Sequence, residues 1–265
     1  VAILFLMSRL TPDPWSSLRR FTSARIALGR AGGSLPTAEL LDFALAHAAA
    51  RDAVHSVLDI PSLIEDLKSI GLPVIVCKTQ VPDHVTYLQR PDLGSRLDPA
   101  SNDVLAGQAK EADLSIVISD GLSAIAARSH AANLLKELIP LLKVDGISLA
   151  PLVIAPLARV AVQDEVGHAL GSRASLIVLG ERPGLGCPDS LGAYLVFHPR
   201  PGNTNADRNC VSNIRPAGLP IPAAAATLRY LIGESIRRKI SGIQLKDERS
   251  ALPLPDRAAE HGRIE

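Results

Sequence analysis

Two short runs, Pro73-Val74-Ile75-Val76-Cys77 and Leu114-Ser115-Ile116-Val117-Ile118, constrain the fold more than any other feature of the chain. Both are rich in β-branched residues and lack the polar alternation of a strand with one wet face. They predict strands of a sheet covered on both sides. The second run ends in Ser119-Asp120-Gly121-Leu122-Ser123, and a helical pattern then passes through Ile125, Ala126, His130, Leu134 and Leu138 toward Pro140. That is strand, tight turn, helix. Ser175 to Leu179 and Tyr194 to Phe197 read as further strands, and Leu149 to Val162 is an apolar stretch broken by Pro151 and Pro156. Ala223 to Arg238 reads as a helix whose end carries Arg237, Arg238 and Lys239, the charge sign that suits a helix C-terminus. The class is α/β: a helical N-terminal part followed by a mainly parallel sheet domain.

The N-terminal third follows another rule. Pro36-Thr37-Ala38-Glu39 is a helix start, and Leu41, Ala44, Leu45, Ala48 and Asp52 share one stripe of a pattern running to about Leu58. Upstream, Trp15 to Gly33 interleaves Arg19, Arg20, Arg25 and Arg30 with Leu18, Phe21, Ile26 and Leu28 at roughly helical spacing. A solvated helix face or a protein contact is preferred there over a phosphate or membrane surface. His47, Arg51 and His55 fall on one helix face, but an arginine between two histidines suits a hydrogen-bonded surface better than a metal site. The expected division is residues 7–66, helical, and 67–265, the sheet domain, with a polar, frayed tail from Pro253 onward.

Composition closes several doors. A net charge of +1 and an aromatic content of 3% leave neither the basic footprint nor the stacking platforms that nucleic-acid binding needs. Cys77, Cys187 and Cys210 form an odd set without Cys-x-x-Cys spacing, which argues against a disulfide framework and a zinc site and fits a reducing cytosol. No run of about 18 apolar residues predicts a membrane span. Val1 to Met7 is apolar but has neither a basic leader nor a cleavage site, so it does not read as a secretory signal, and Met7 is a natural start.

Ligands of parallel sheets bind beyond the carboxyl ends of the strands, which singles out three loops. In Asp120-Gly121-Leu122-Ser123, either the glycine and the free N–H groups of the helix N-terminus receive an anion, or the aspartate is simply a helix cap. Gly180-Glu181-Arg182-Pro183-Gly184-Leu185-Gly186-Cys187-Pro188-Asp189-Ser190 is a shaped loop that sets an acceptor and a forked donor at a strand end. It is not a dinucleotide fingerprint, because no helix opens after Gly184-x-Gly186, so a nucleotide-dependent oxidoreductase is poorly supported. Asn203 to Arg215 is dense in amides and hydroxyls, which suits either a hydrogen-bonding ligand or a self-satisfied turn. No Gly-x-Ser-x-Gly or His-Glu-x-x-His motif is present, and the pattern favours a binding surface over a self-contained active site.

At these loops the chain resembles the light (small) subunit of ethanolamine ammonia-lyase. The likeness runs from Leu18-Arg19-Arg20-Phe21-Thr22-Ser23-Ala24-Arg25 through Ala46-His47-Ala48-Ala49-Ala50-Arg51-Asp52, Tyr87-Leu88-Gln89-Arg90-Pro91-Asp92-Leu93-Gly94 and Asp120-Gly121-Leu122-Ser123-Ala124. It continues through the 180–192 loop and Cys210-Val211-Ser212-Asn213-Ile214 to Ser241-Gly242-Ile243. The resemblance implies a Rossmann-like C-terminal domain that covers adenosylcobalamin held against a heavy (large) subunit, within a hetero-oligomer that converts ethanolamine to acetaldehyde and ammonia. It implies that the heavy chain carries the substrate site, so no catalytic residue and no metal ligand is expected here.

By motif, the implied cobalamin contacts are Val160, Glu181 and Cys210, with Arg159 and Arg182 as weaker polar candidates. None of the seven histidines sits in an Asp-x-His-x-x-Gly motif, and base-on binding is the expectation. Val162-Gln163-Asp164-Glu165 departs from the family's usual glycine before Asp-Glu, which makes the loop near Val160 less flexible. The segment before Leu18 is short beside relatives whose extension is associated with a bacterial microcompartment, so free cytoplasmic and packaged forms both stay open.

Overall fold

The computed structural model describes residues 10–108 and 110–249; Val1 to Met7 and the tail from Pro253 lie outside them. A two-stranded ladder pairs β1 (Leu10–Thr11) with β2 (Arg30–Ala31), and α1 (Thr37–His55) and α2 (Ile60–Leu67) follow. Next come β3 (Val74–Val76), the short helices α3 (His84–Gln89), α4 (Pro91–Gly94) and α5 (Pro99–Ala106), and β4 (Leu114–Ser119). The helix after β4 begins as α6 (Ala124–Ala126), passes through a π-helical turn at Ala127–Ala131 and continues as α7 (Ala132–Val144). β5 (Leu149–Ile154), α8 (Val162–Ala169), β6 (Ala174–Gly180), β7 (Leu191–Phe197), β8 (Arg208–Ile214) and α9 (Ile221–Arg238) complete the main elements.

Six strands form one mostly parallel sheet in the order β3-β5-β4-β6-β7-β8, with β7 and β8 added antiparallel at the far edge. Every residue of β4 and β6 is buried, which is why neither run alternates, whereas β3, expected to be covered on both sides, is the sheet's edge strand and leaves Val76 47% exposed. Leu114, Ile116 and Ile118 turn into a core shared with α2, α7 and α9, whereas Val117 turns into a second core lined by α5 and α8. Pro151 lies in β5, an interior strand, where a missing N–H would break the ladder. The register with β4 slips there, Leu114 opposing Leu149 and Ile116 opposing Leu152, so the irregularity accommodates the proline.

Three more expectations change. Trp15 to Gly33 is not an amphipathic helix: only Ser16–Phe21 winds, as a 3-10 turn with no buried residue, and Phe21 is 72% exposed. Left-handed backbone at Ala27, Gly29 and Gly32 folds the rest back on itself, and a helix this short without a packed face cannot repay its nucleation. In α1 only Ala53 is buried, and Leu41 and Leu45 of the expected stripe are 63% and 71% exposed, because no element among the described residues covers that face. The helix after β4 runs on past Pro140 to Val144.

Candidate functional site

The turns that follow β4, β5 and β6 lock together before any side chain reaches outward. Gly121 has a φ of 55°, and a Cβ there would meet the Gly180 carbonyl oxygen at 2.2 Å. Leu122 N–H donates to the same oxygen at 2.9 Å. Ser123 caps the helix by accepting from Ala126 N–H, and its hydroxyl donates to Pro188 O at 2.9 Å, fastening the 181–190 loop. Asp120 is therefore not the helix cap. Its Oδ1 accepts from Leu157 N–H at 2.7 Å and from the Ser119 hydroxyl at 3.0 Å, tying the end of β4 to the turn after β5. Burial raises its carboxyl pKa against the opposing pull of those two donors. The residue it holds, Leu157, has a left-handed φ of 54°, strain that this tie helps maintain.

Outside these turns lies an open cleft of about 460 Å³ lined by Tyr87, Leu122, Arg159, Val160, Leu179, Gly180, Glu181, Arg182, Tyr194 and Ser212. Val160 stands on the turn leading into α8. Beside it, the Arg159 guanidinium lies 4.0 Å over the Tyr87 ring and donates to Tyr87 O at 2.8 Å, while Arg159 N–H donates to Gly94 O at 2.7 Å. Glu181 occupies the opposite wall. Its carboxylate accepts from the Ser190 and Ser212 hydroxyls and from Asn213 N–H. Gly192 leaves it room, since a Cβ there would come within 3.0 Å of Glu181 Oε1. Burial, with Cys210 and the Glu181 charge adding to it, raises the Tyr194 pKa, so its phenol keeps its proton.

Four of the five expected contacts, Arg159, Val160, Glu181 and Arg182, thus line one cleft. Cys210 stands just beyond it, exposed on β8 and in register with Tyr194 on β7. The polar stretch 203–215 divides. Its first part satisfies itself, Thr204 and Asp207 forming a capping box and Asn203 accepting from Arg200 N–H; the rest is β8, an edge strand. Among the described residues no group of three metal-ligating side chains occurs, and His47, Arg51 and His55 are exposed along α1.

Comparison with known proteins decides the family. The model for "Ethanolamine ammonia-lyase light chain (EutC)" matches residues 12–246. The chain belongs to the ethanolamine ammonia-lyase light-chain family. An ethanolamine ammonia-lyase small subunit of Bradyrhizobium diazoefficiens is 51% identical over 237 residues, covering 89% of this chain and 91% of that one. That of Azotobacter vinelandii is 51% identical over 245 residues, 91% of each chain. That of Pseudomonas paraeruginosa is 47% identical over 256 residues, 95% of this chain and 94% of the relative. A light chain implies a large-subunit partner within a lyase complex. No helix among the described residues is long and apolar enough to cross a membrane.

Sequence reasoning about the light chain missed Tyr87, Leu122, Leu179, Tyr194 and Ser212 as cleft residues. For Ser212 a signal existed, the crowding of polar side chains in 203–215. Tyr87 carried only the faint one of a rare aromatic inside a motif.

Proposed function

We propose that this light chain forms one wall of an adenosylcobalamin site whose other wall, with the substrate site, belongs to the heavy subunit, and that the pair converts ethanolamine to acetaldehyde and ammonia. The observation that carries this is the convergence of Arg159, Val160, Glu181 and Arg182 on one cleft at the carboxyl ends of the strands. The fit to a corrinoid rests on the donor set: a carboxylate and a serine that accept, two guanidinium groups that donate, and Leu122, Val160 and Leu179 as an apolar wall. A cleft of about 460 Å³ is too small to enclose so large a ligand, which suits a shared site.

When bound, adenosylcobalamin supplies radical chemistry through its cobalt–carbon bond. The work of this chain is to bind and to exclude water. Glu181 accepts from ligand N–H or O–H groups, Arg159 and Arg182 donate to carbonyl or phosphate oxygens, and the apolar wall keeps solvent from the covered face. Cys210 would border the cofactor along β8. No catalytic residue is assigned to this chain. Exposed Trp15, Phe21, Leu41 and Leu45 are what a subunit of a complex leaves uncovered when alone. The same reading puts the enzyme in the cytoplasm, free or within a microcompartment.

Co-expression with the heavy subunit tests it, with ammonia release as the assay and bound cobalamin followed by absorbance. Activity and cobalamin retention should require both chains. Full activity and retention by the heavy subunit alone would refute the proposal.

A further inference from the structure

The hydrogen atoms around Glu181 run in one direction. Oε1 accepts the Ser212 hydroxyl at 2.5 Å, and Oε2 accepts the Ser190 hydroxyl and, at 3.1 Å, Asn213 N–H. A serine has one hydrogen to give and two lone pairs, and a carboxylate has none to give. Both serines have therefore spent their only donor on Glu181. Ser190 is buried, at 4% exposure. Ser212 is exposed and lines the cleft beside Glu181. What remains on that wall is a pair of acceptors, Ser212 Oγ and Glu181 Oε1, with no hydrogen between them left to donate.

We propose that Ser212 and Glu181 form an acceptor-only subsite for a primary amide of the ligand, and that Ser212 is the residue that separates an amide from a carboxylate. An amide N–H₂ has two hydrogens for two adjacent acceptors, and the guanidinium of Arg182, next in sequence to Glu181 and lining the same cleft, offers donors for its carbonyl. A carboxylate brings no hydrogen and sets a second negative charge against Glu181. A hydroxyl can satisfy only one of the two acceptors. The inference rests on the cobalamin reading above, since a corrinoid presents primary amides around its rim.

The test is an absorbance titration of the assembled heavy–light complex with cyanocobalamin and with its monocarboxylic derivatives, each having one side-chain amide hydrolysed. One derivative should bind at least about tenfold more weakly than the parent, the loss expected of one buried hydrogen bond. Ser212→Ala should weaken the parent and leave that derivative unchanged, shrinking the ratio, while Ser212→Thr, which keeps a hydroxyl, should restore it. Thermal melting of each variant complex checks that it is folded. An unchanged ratio in Ser212→Ala, or no discrimination by the unmodified complex, overturns the subsite and leaves the cofactor reading standing. Failure of the unmodified complex to bind cyanocobalamin at all overturns both.

Discussion

The backbone of Gly121 lies directly on that of Gly180. A Cβ on Gly121 would stand 2.2 Å from the Gly180 carbonyl oxygen, and one on Gly180 would stand 2.1 Å from the Ser123 carbonyl oxygen. Contact this close holds the strand-end turns in register with one another, and the cleft depends on that register.

Gly180→Ala should lower stability by about 3 kcal/mol or more, because the obstacles are backbone atoms that cannot rotate aside. Gly184→Ala, with open space around its Cβ position, serves as the control. Denaturant unfolding of the two variants should separate them clearly; equal midpoints would show that the turns can yield.

Asp164 and Arg208 form an ion pair buried on both sides, with 4% and 3% of their side chains exposed. Arg208→Ala, which strands a buried carboxylate, should cost about 3–5 kcal/mol in urea unfolding. A loss below about 1 kcal/mol would mean that water reaches the site.

Burial pushes the Asp164 carboxyl up from 3.8 to about 6, even against Arg208. The folded chain then holds this proton more tightly than the unfolded chain. The resulting stabilisation is complete below about pH 4 and lost as pH rises through about 6. Relative to Asp164→Asn, the unmodified protein should lose on the order of 2 kcal/mol between pH 4 and pH 7. A relative stability that rises over that window would reverse the assignment.

Glu181→Ala should weaken cobalamin binding by the heavy–light complex by roughly 1–3 kcal/mol, the penalty for leaving a buried N–H or O–H of the ligand without its acceptor. Spectroscopic titration measures this without turnover. Unaltered affinity would assign Glu181 a purely structural part in holding the 181–190 loop.

Exposed and buried leucines of the N-terminal helices should respond oppositely. Leu41→Ser with Leu45→Ser should change the stability of the chain by no more than about 0.5 kcal/mol per site, whereas Leu63→Ala in the sheet core should cost about 2–5 kcal/mol. Thermal melts of the two variants provide the comparison, and a large loss in the α1 variant would show that its apolar face is covered.

Strands β4 and β6 were legible because each is buried on both faces, so burial wrote an unbroken apolar run. β8 was not. As the edge strand it exposes Cys210, Ser212 and Asn213, and its polar pattern is that of a loop. α1 was legible as a helix while its burial was not, since periodicity reports an apolar face and not what covers it. Glu181 and Arg182 could be placed at a strand end from the sequence, but the three donors on Glu181 come from 190, 212 and 213, which no local window joins.

By itself the sequence determined the class of fold, the membership of the family and the chemistry of each strand-end loop, all of which are written in contiguous residues. The tertiary structure decided which loops meet. β5 inserts between β3 and β4, and β6 lies on the far side of β4, so the turns at 119–123, 155–160 and 180–190 converge with Tyr87 and Ser212 on one cleft. The physical reason is that strand order is fixed by long-range pairing and packing, whereas a residue pattern records only whether each position is buried.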